Sequence, residues 1–486
     1  MGQSLSKGSK RSDDTNAKKT VYGRREIGVA LIILYYRLII RLLKRYNIDV
    51  PPVLVSLLGV IGGLEVLKKV KGKETAAAVV DYLDPAADWL GFWMPLWLAP
   101  PLVVLPNALL SVKEADTQMW IKLALVHFVS WAATVWGSSK LYSAMTMSSE
   151  EDSSSSSLSL SPPSPPPSLS SDEKLTDKDT EREREAKTES SAAEDTNKTS
   201  LYLKKIRLLR FWGVVAAGFY GLAVTGVVPP SPALATVSIA AQCSGDLLPA
   251  RVKQVVHPVI VTAVISAIAT LIMHYVRKDP GNWQDALRSF FNNGKLSGRE
   301  TEMMAGDLFF SFLGPCCVGL ALRIHTLLQL PEMQEALPAV LGTSFLSSLL
   351  SLLLSPLFAR VVGLPSEIAS VLGHRSITTS LAVPSAISLG ASAELTVAAV
   401  LISGLYGTSP DTILNSLGIA GDHLASGVSL GMSSHSLGTA SLLSVSSTAA
   451  AAASLTMFSA GMFHAILCSV PAVRHLALLS AGTISP

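Results

Sequence analysis

Few side chains in the apolar stretches of this sequence can carry charge or exchange protons, and those few define its chemistry. His435 stands in Gly427-Val428-Ser429-Leu430-Gly431-Met432-Ser433-Ser434-His435-Ser436-Leu437-Gly438-Thr439-Ala440. An imidazole there can take up and release a proton near neutral pH, or serve as a hydrogen-bonded packing residue. Glu394 opens the apolar run 395–400 and reads either as a second proton-coupling group or as an acid at a helix start. Arg375 can pair with a carboxylate through its planar guanidinium, although His374-Arg375 reads equally as an interfacial anchor. Hydroxyl donors cluster beside helix-breaking residues at Ser376, Thr378 and Thr379, and again at Ser434 and Thr439. Membrane helices also use such residues for close packing. Asp246 and Asp307 are weaker candidates, and His127 reads as packing.

Other chemistries find no support. There is no Walker A loop, dinucleotide-binding glycine pattern or HExxH motif. Gly427-Val428-Ser429-Leu430-Gly431 matches GxSxG by letter but lacks the strand-turn-helix setting that exposes a nucleophile. The four cysteines, Cys243, Cys316, Cys317 and Cys468, follow no metal or disulfide spacing and read as small buried hydrophobes. The expectation is a protein that is not an enzyme, has no cofactor or metal, and draws on an ion or substrate gradient rather than on ATP.

The elements that must position these residues follow from composition. Only 15% of the 486 residues are charged and mean hydropathy is +0.41, against roughly a quarter charged in soluble domains. The charge is unevenly placed. Residues 148–200 hold 13 acids and 6 bases, a net charge of −7, so the rest of the +3 chain carries +10. That excess lies in short runs at the ends of apolar segments, the pattern that orients membrane helices rather than one that binds nucleic acid. We therefore expect an all-α, polytopic transmembrane protein with broken helices and roughly 12 membrane segments.

Apolar spans fall near 27–45, 52–70, 88–111 and 118–140, the first interrupted by Arg37 and Arg41. Further spans fall near 211–229, 232–248, 256–276, 306–328, 337–361, 376–390, 393–408, 412–422, 426–444 and 447–470. Several of these are short and cut by Gly314-Pro315, Pro384, Gly390, Gly404, Gly407 or Gly438. Irregular backbone at membrane depth is tolerated where protein or water covers it, and secondary transporters build substrate sites from such breaks. Four domains result: a polar basic tail at 1–25, a helical module at 26–147, a disordered Ser/Pro/acidic linker at 148–200, and a larger module at 201–486. Loop charges place the N-terminus and the linker on the cytoplasmic side. The start Met1-Gly2-Gln3-Ser4-Leu5-Ser6 fits N-myristoylation at Gly2. Residues 1–25 lack the character of a plastid transit peptide, which points to a plasma or organelle membrane rather than the plastid envelope.

Four stretches, in order, resemble the LrgB/CidB family. They are Leu313-Gly314-Pro315-Cys316-Cys317-Val318-Gly319-Leu320-Ala321-Leu322, then Arg375-Ser376-Ile377-Thr378-Thr379-Ser380-Leu381-Ala382, then Glu394-Leu395-Thr396-Val397-Ala398-Ala399-Val400 with Gly404 and Gly407, and finally the run around His435. Val50-Pro51-Pro52 and Trp93-Met94-Pro95-Leu96 are similar to the smaller partner family, LrgA/CidA. The two in one chain resemble the fused, plastid-type members. Ser380 stands where the family often has proline, and Cys316-Cys317 where it has other small residues.

The resemblance implies a secondary carrier of small 2-hydroxy or 2-keto monocarboxylates such as glycolate, glycerate or pyruvate, working by alternating access. For such an anion the donors weighed above give the expected site: substrate binding at Arg375, Ser376, Thr378, Thr379, Ser434 and Thr439, with proton coupling at His435 and Glu394. The second half would be the transport body and the first a scaffold or regulatory module. The rival implied by the bacterial members is a holin-like pore or a regulator of cell lysis. Expected partners are membrane lipid, small organic acid anions and a further copy of the chain in a homo-oligomer, without nucleic acid.

Overall fold

The computed structural model describes residues 5–48, 50, 52–112, 116–154, 202–249, 252, 256, 258–291, 303–407, 410–419, 421–442 and 446–483. Gly2 and residues 155–200 of the expected linker lie outside them. Regular structure among the described residues is helical throughout. The first half comprises α1 (Leu5–Arg45), α2 (Pro52–Lys71), α3 (Lys73–Phe92), α4 (Met94–Val103), α5 (Leu105–Ser111) and α6 (Thr117–Ser154). The second begins with α7 (Tyr202–Val224), α8 (Pro230–Asp246), α9 (Pro258–Arg277), α10 (Trp283–Arg288), α11 (Ala305–Ser311), α12 (Leu313–Leu327) and α13 (Pro331–Val361). It continues with α14 (Ser366–Leu372), α15 (Thr379–Ser388), α16 (Ala393–Tyr406), α17 (Pro410–Ser416), α18 (His423–Leu442), α19 (Ser447–Ser469) and α20 (Pro471–Ala481).

Local sequence explains many of these boundaries. Prolines occupy the first turns of α4, α5, α8, α13 and α20, where a missing N–H costs nothing. Ser392 and Ser446 cap α16 and α19 by accepting hydrogen bonds from Leu395 N and Ala449 N.

The chain is an integral membrane protein. Seven helical segments among the described residues are long and apolar enough to cross a bilayer: 73–110, 117–146, 202–224, 258–277, 305–327, 333–361 and 448–469. The other expected spans fall short for local reasons. Arg37, Arg41 and Lys44 load α1 with charge, as Glu65, Lys68, Lys69 and Lys71 load α2. α8 and α16 are shorter than a bilayer crossing, α15 has only 10 residues, and α18 is broken. In the opposite direction, the expected span at 88–111 lengthens backwards to Lys73, because α3, α4 and α5 run on through Pro85, Pro95 and Pro106.

The last long helix is central: 72% of its apolar window is buried within the protein, against 11% for the outer helix α7. Around α19 pack α18 and α13, with α6 against both of these. α18 and α19 approach so closely that a Cβ on Gly427 or Gly431 would overlap the carbonyl oxygens of Ala449 and Ala453. The halves interleave: α2 and α3 pack on α12, α4 on α9, and α6 on α13 and α18.

Candidate functional site

Between α14 and α15 the chain leaves helical geometry, and residues 373–378 cross the interior as irregular backbone. Arg375 sits in this segment and is completely buried. Its Nη2 donates to the Ser130 carbonyl at 2.6 Å and to Thr134 Oγ1 at 2.9 Å, and lies 3.5 Å from Ser355 Oγ. Nε and Nη1 have no partner. A guanidinium has five N–H groups, so three stand unused. No carboxylate among the described residues forms an ion pair with it. A cation so buried has exchanged its hydration for two or three hydrogen bonds, a costly state unless an anion completes it.

The second irregular point is His435, in the middle of α18, with φ +40° and ψ −132°. Few non-glycine residues adopt such backbone, at a cost of about 1–3 kcal/mol. Its neighbours hold it there. Nε2 lies 2.7 Å from the Val400 carbonyl, which can only accept, so Nε2 carries the proton. Nδ1 lies 3.4 Å from Ser436 Oγ. Thr439 Oγ1 donates to the His435 carbonyl at 2.8 Å, satisfying an acceptor at the break. Gly404 on α16 and Gly407 at its C-cap make the room: a Cβ on Gly404 would lie 2.7 Å from His435 Cε1, and one on Gly407 would overlap the Ser434 side chain.

One turn of α6 touches both breaks. Ser130 and Thr134 hold Arg375, while Trp131 Nε1 donates to Ser434 Oγ at 2.9 Å. Beside this turn, α6 and α13 enclose a groove of about 600 Å³. Its walls are mainly apolar, but Ser130, Thr134, Ser138, Ser347, Ser351 and Ser355 line it, with Lys140. Ser351 Oγ also lies 2.9 Å from Ser376 Oγ, so the groove backs directly onto the 373–378 segment.

The remaining expected site residues divide. Ser376, Thr378 and Thr379 are buried beside Arg375 in sequence, with Thr378 at the N-cap of α15 in extended conformation. Ser434, His435 and Thr439 share the second break. Glu394 stands apart, half-buried in the first turn of α16, where it accepts from Ser392 Oγ at 2.7 Å. No hydrogen bond or ion pair joins it to Arg375 or His435, and its position suits an acid at a helix start. Arg375 lies in the interior, away from the interfacial alternative. His127 packs against Tyr406, with Nε2 2.9 Å from the Ala399 carbonyl.

Two groups of residues went unselected at the level of sequence. The hydroxyls on α6 and α13 were visible as four-residue ladders, 130/134/138 and 347/351/355, each marking one helix face. The other is a buried contact between His374 Nδ1 and His464 Nε2 at 2.8 Å, with Cys468 one helical turn from His464. Their ligand atoms lie within 4.8 Å of one another, the one such metal-type grouping among the described residues. Arg375 follows His374 directly, and the outer nitrogens, His374 Nε2 and His464 Nδ1, have no partner. Metal-bound imidazoles ordinarily anchor that outer nitrogen. The arrangement fits a neutral hydrogen-bonded pair better than a cation site.

Residues 238–473 match the model of the LrgB-like family. The chain is 27% identical over 417 residues to the plastidal glycolate/glycerate translocator 1 of Arabidopsis thaliana, covering 84% of this chain and 71% of that protein. An uncharacterized protein of Haemophilus influenzae is 30% identical over 168 residues, covering 34% of this chain and 71% of that protein. The uncharacterized protein YxaC of Bacillus subtilis is 27% identical over 158 residues, covering 32% of this chain and 68% of that one. No solved structure matches significantly.

Proposed function

The chain belongs to the LrgB-like family, and from that membership, the translocator relative and the Arg375 centre we propose that it is a secondary carrier of small organic monocarboxylates. The observation that carries the reading is a wholly buried arginine with three unused N–H groups and no carboxylate partner among the described residues. A small carboxylate is the natural complement: it neutralises the charge and accepts hydrogen bonds in the plane of the guanidinium. Ser376, Thr378 and Thr379 lie along the same irregular segment, and the first turn of α15 adds backbone N–H groups that favour an anion.

The two breaks supply the moving parts. Irregular backbone at 373–378 and at His435 can change its dihedrals without disrupting a regular helix, as alternating access requires. Proton coupling is assigned to His435, whose Nδ1 has only a long contact to Ser436. Glu394 is a weaker coupling candidate, given its hydrogen bond to Ser392. Glycolate, glycerate and pyruvate are the substrates to test first.

Uptake of these labelled anions into proteoliposomes distinguishes carrier from pore. A carrier saturates and discriminates among them. Unsaturable leakage of unrelated solutes would favour the holin-like alternative, and an absence of uptake with or without a pH gradient would end the carrier reading.

A further inference from the structure

Arg375 belongs to the second half of the chain, yet its two short hydrogen bonds come from the first. Ser130 O at 2.6 Å and Thr134 Oγ1 at 2.9 Å both lie on α6. The residue between them in sequence that faces the core, Trp131, bonds Ser434 at 2.9 Å, immediately before the His435 break. These contacts come from a single turn of one helix, so a shift of α6 moves the partners of both breaks together.

Thr134 is itself locked. Its hydroxyl donates to the Ser130 carbonyl at 2.8 Å, which leaves an oxygen lone pair directed to Arg375. The resulting triangle of Ser130 O, Thr134 Oγ1 and Arg375 Nη2 fixes one edge of the guanidinium. The unpartnered Nε and Nη1 are thereby held in a defined orientation. A guanidinium held this way loses less freedom when it binds a carboxylate, and pre-organisation of that kind appears in affinity.

We propose that the anion site is shared between the two halves: Thr134 and Ser130 of α6 position Arg375, and Trp131 ties the same turn to the His435 break. The first half is then part of the binding site rather than a scaffold around it. The ligand class is a small monocarboxylate, and this assignment rests on the carrier reading. Thr134 and Trp131 are positioning residues, acting on the substrate through Arg375 and Ser434.

The test uses the full chain in two assays, initial uptake of labelled glycolate in proteoliposomes and glycolate-dependent thermal stabilisation of the purified protein. Thr134→Val preserves shape and removes the oxygen. It should raise KM about tenfold, the size of one lost charge-assisted hydrogen bond, with Vmax changed less than about twofold. Thr134→Ser should restore KM. Ser143→Ala, further along α6, outside the groove lining and with its hydroxyl bonded back to the Ser139 carbonyl, should change neither parameter.

An unchanged KM in Thr134→Val overturns the proposal, as does an equal shift in Ser143→Ala, which would mark a general packing effect. The carrier reading fails separately. Glycolate stabilisation that weakens in Thr134→Val, without saturable uptake by the wild type, keeps the shared site and removes the carrier. Neither binding nor uptake removes both.

Discussion

Trp131 donates its indole N–H to the hydroxyl of Ser434, 303 positions later in the chain, at 2.9 Å. Both side chains are buried, and Ser434 immediately precedes the non-helical His435. The bond therefore ties a regular helix of the first half to the most irregular point of the second. Ser433 Oγ also lies 3.2 Å from Ser434 Oγ, so the serine keeps a partner if the indole is lost, whereas a buried indole N–H has none if the serine is lost.

That asymmetry predicts the outcome of a double-mutant cycle. Ser434→Ala leaves the N–H unsatisfied and should cost about 1–3 kcal/mol. With Trp131→Phe as the second arm, the coupling energy should be near 1 kcal/mol, read from thermal or denaturant unfolding of the purified protein. A coupling indistinguishable from zero would show that the bond contributes nothing to holding the break.

Arg375→Met should abolish saturable uptake and glycolate-dependent stabilisation while making the empty protein more stable, by about 1–4 kcal/mol, because an uncompensated buried charge is replaced by an apolar side chain. At glycolate a hundredfold above Kd the wild type should gain about 2.7 kcal/mol, and the variant none. A less stable Arg375→Met protein would argue that the guanidinium is mainly structural.

Gly404→Ala and Gly407→Ala should each destabilise by about 1–3 kcal/mol, since the new methyl meets His435 and Leu437 in one case and Ser434 in the other. Gly91→Ala is the contrast: this helical glycine in α3 has nothing within 4 Å of a built Cβ, and alanine there should stabilise by roughly 0.5–1 kcal/mol. Melting temperatures of the three variants decide the matter; equal values would remove the steric account of α16.

His435→Asn retains a polar side chain but removes the imidazole that could carry a proton. Uptake should persist at a reduced rate and lose its acceleration by an inward proton gradient. Uptake that keeps the wild-type response to the gradient would take His435 out of proton coupling and leave it as a residue that holds the break.

The membrane character of the chain, its helical class and the two breaks were legible from residue order alone. Sparse charge, apolar runs and clustered glycine and proline act locally, and a helix needs only its own neighbours to form. The number of spans was less legible. A count of apolar runs suggests roughly 12 crossings, whereas seven helical segments among the described residues are long and apolar enough to cross, and 376–390 and 426–444 fold as the broken helices their glycines and prolines suggest. What separates the two outcomes is cover from other helices, and a window along one segment cannot register it.

The candidate site divides along the same line. His435 and Arg375 stand out in sequence because ionisable groups are rare in apolar surroundings, and Gly404 and Gly407 are visible as a pair. Thr134 and Trp131 carry no such signal. A threonine and a tryptophan in an apolar helix look like packing until another helix brings Arg375 and Ser434 within 3 Å of them. The sequence by itself determined a helical membrane protein with two weak points rich in hydroxyls, because those properties are sums over neighbouring residues. Only the tertiary structure decided that Arg375 is wholly buried and held from the other half of the chain, because contacts between residues more than 200 positions apart depend on how the helices pack.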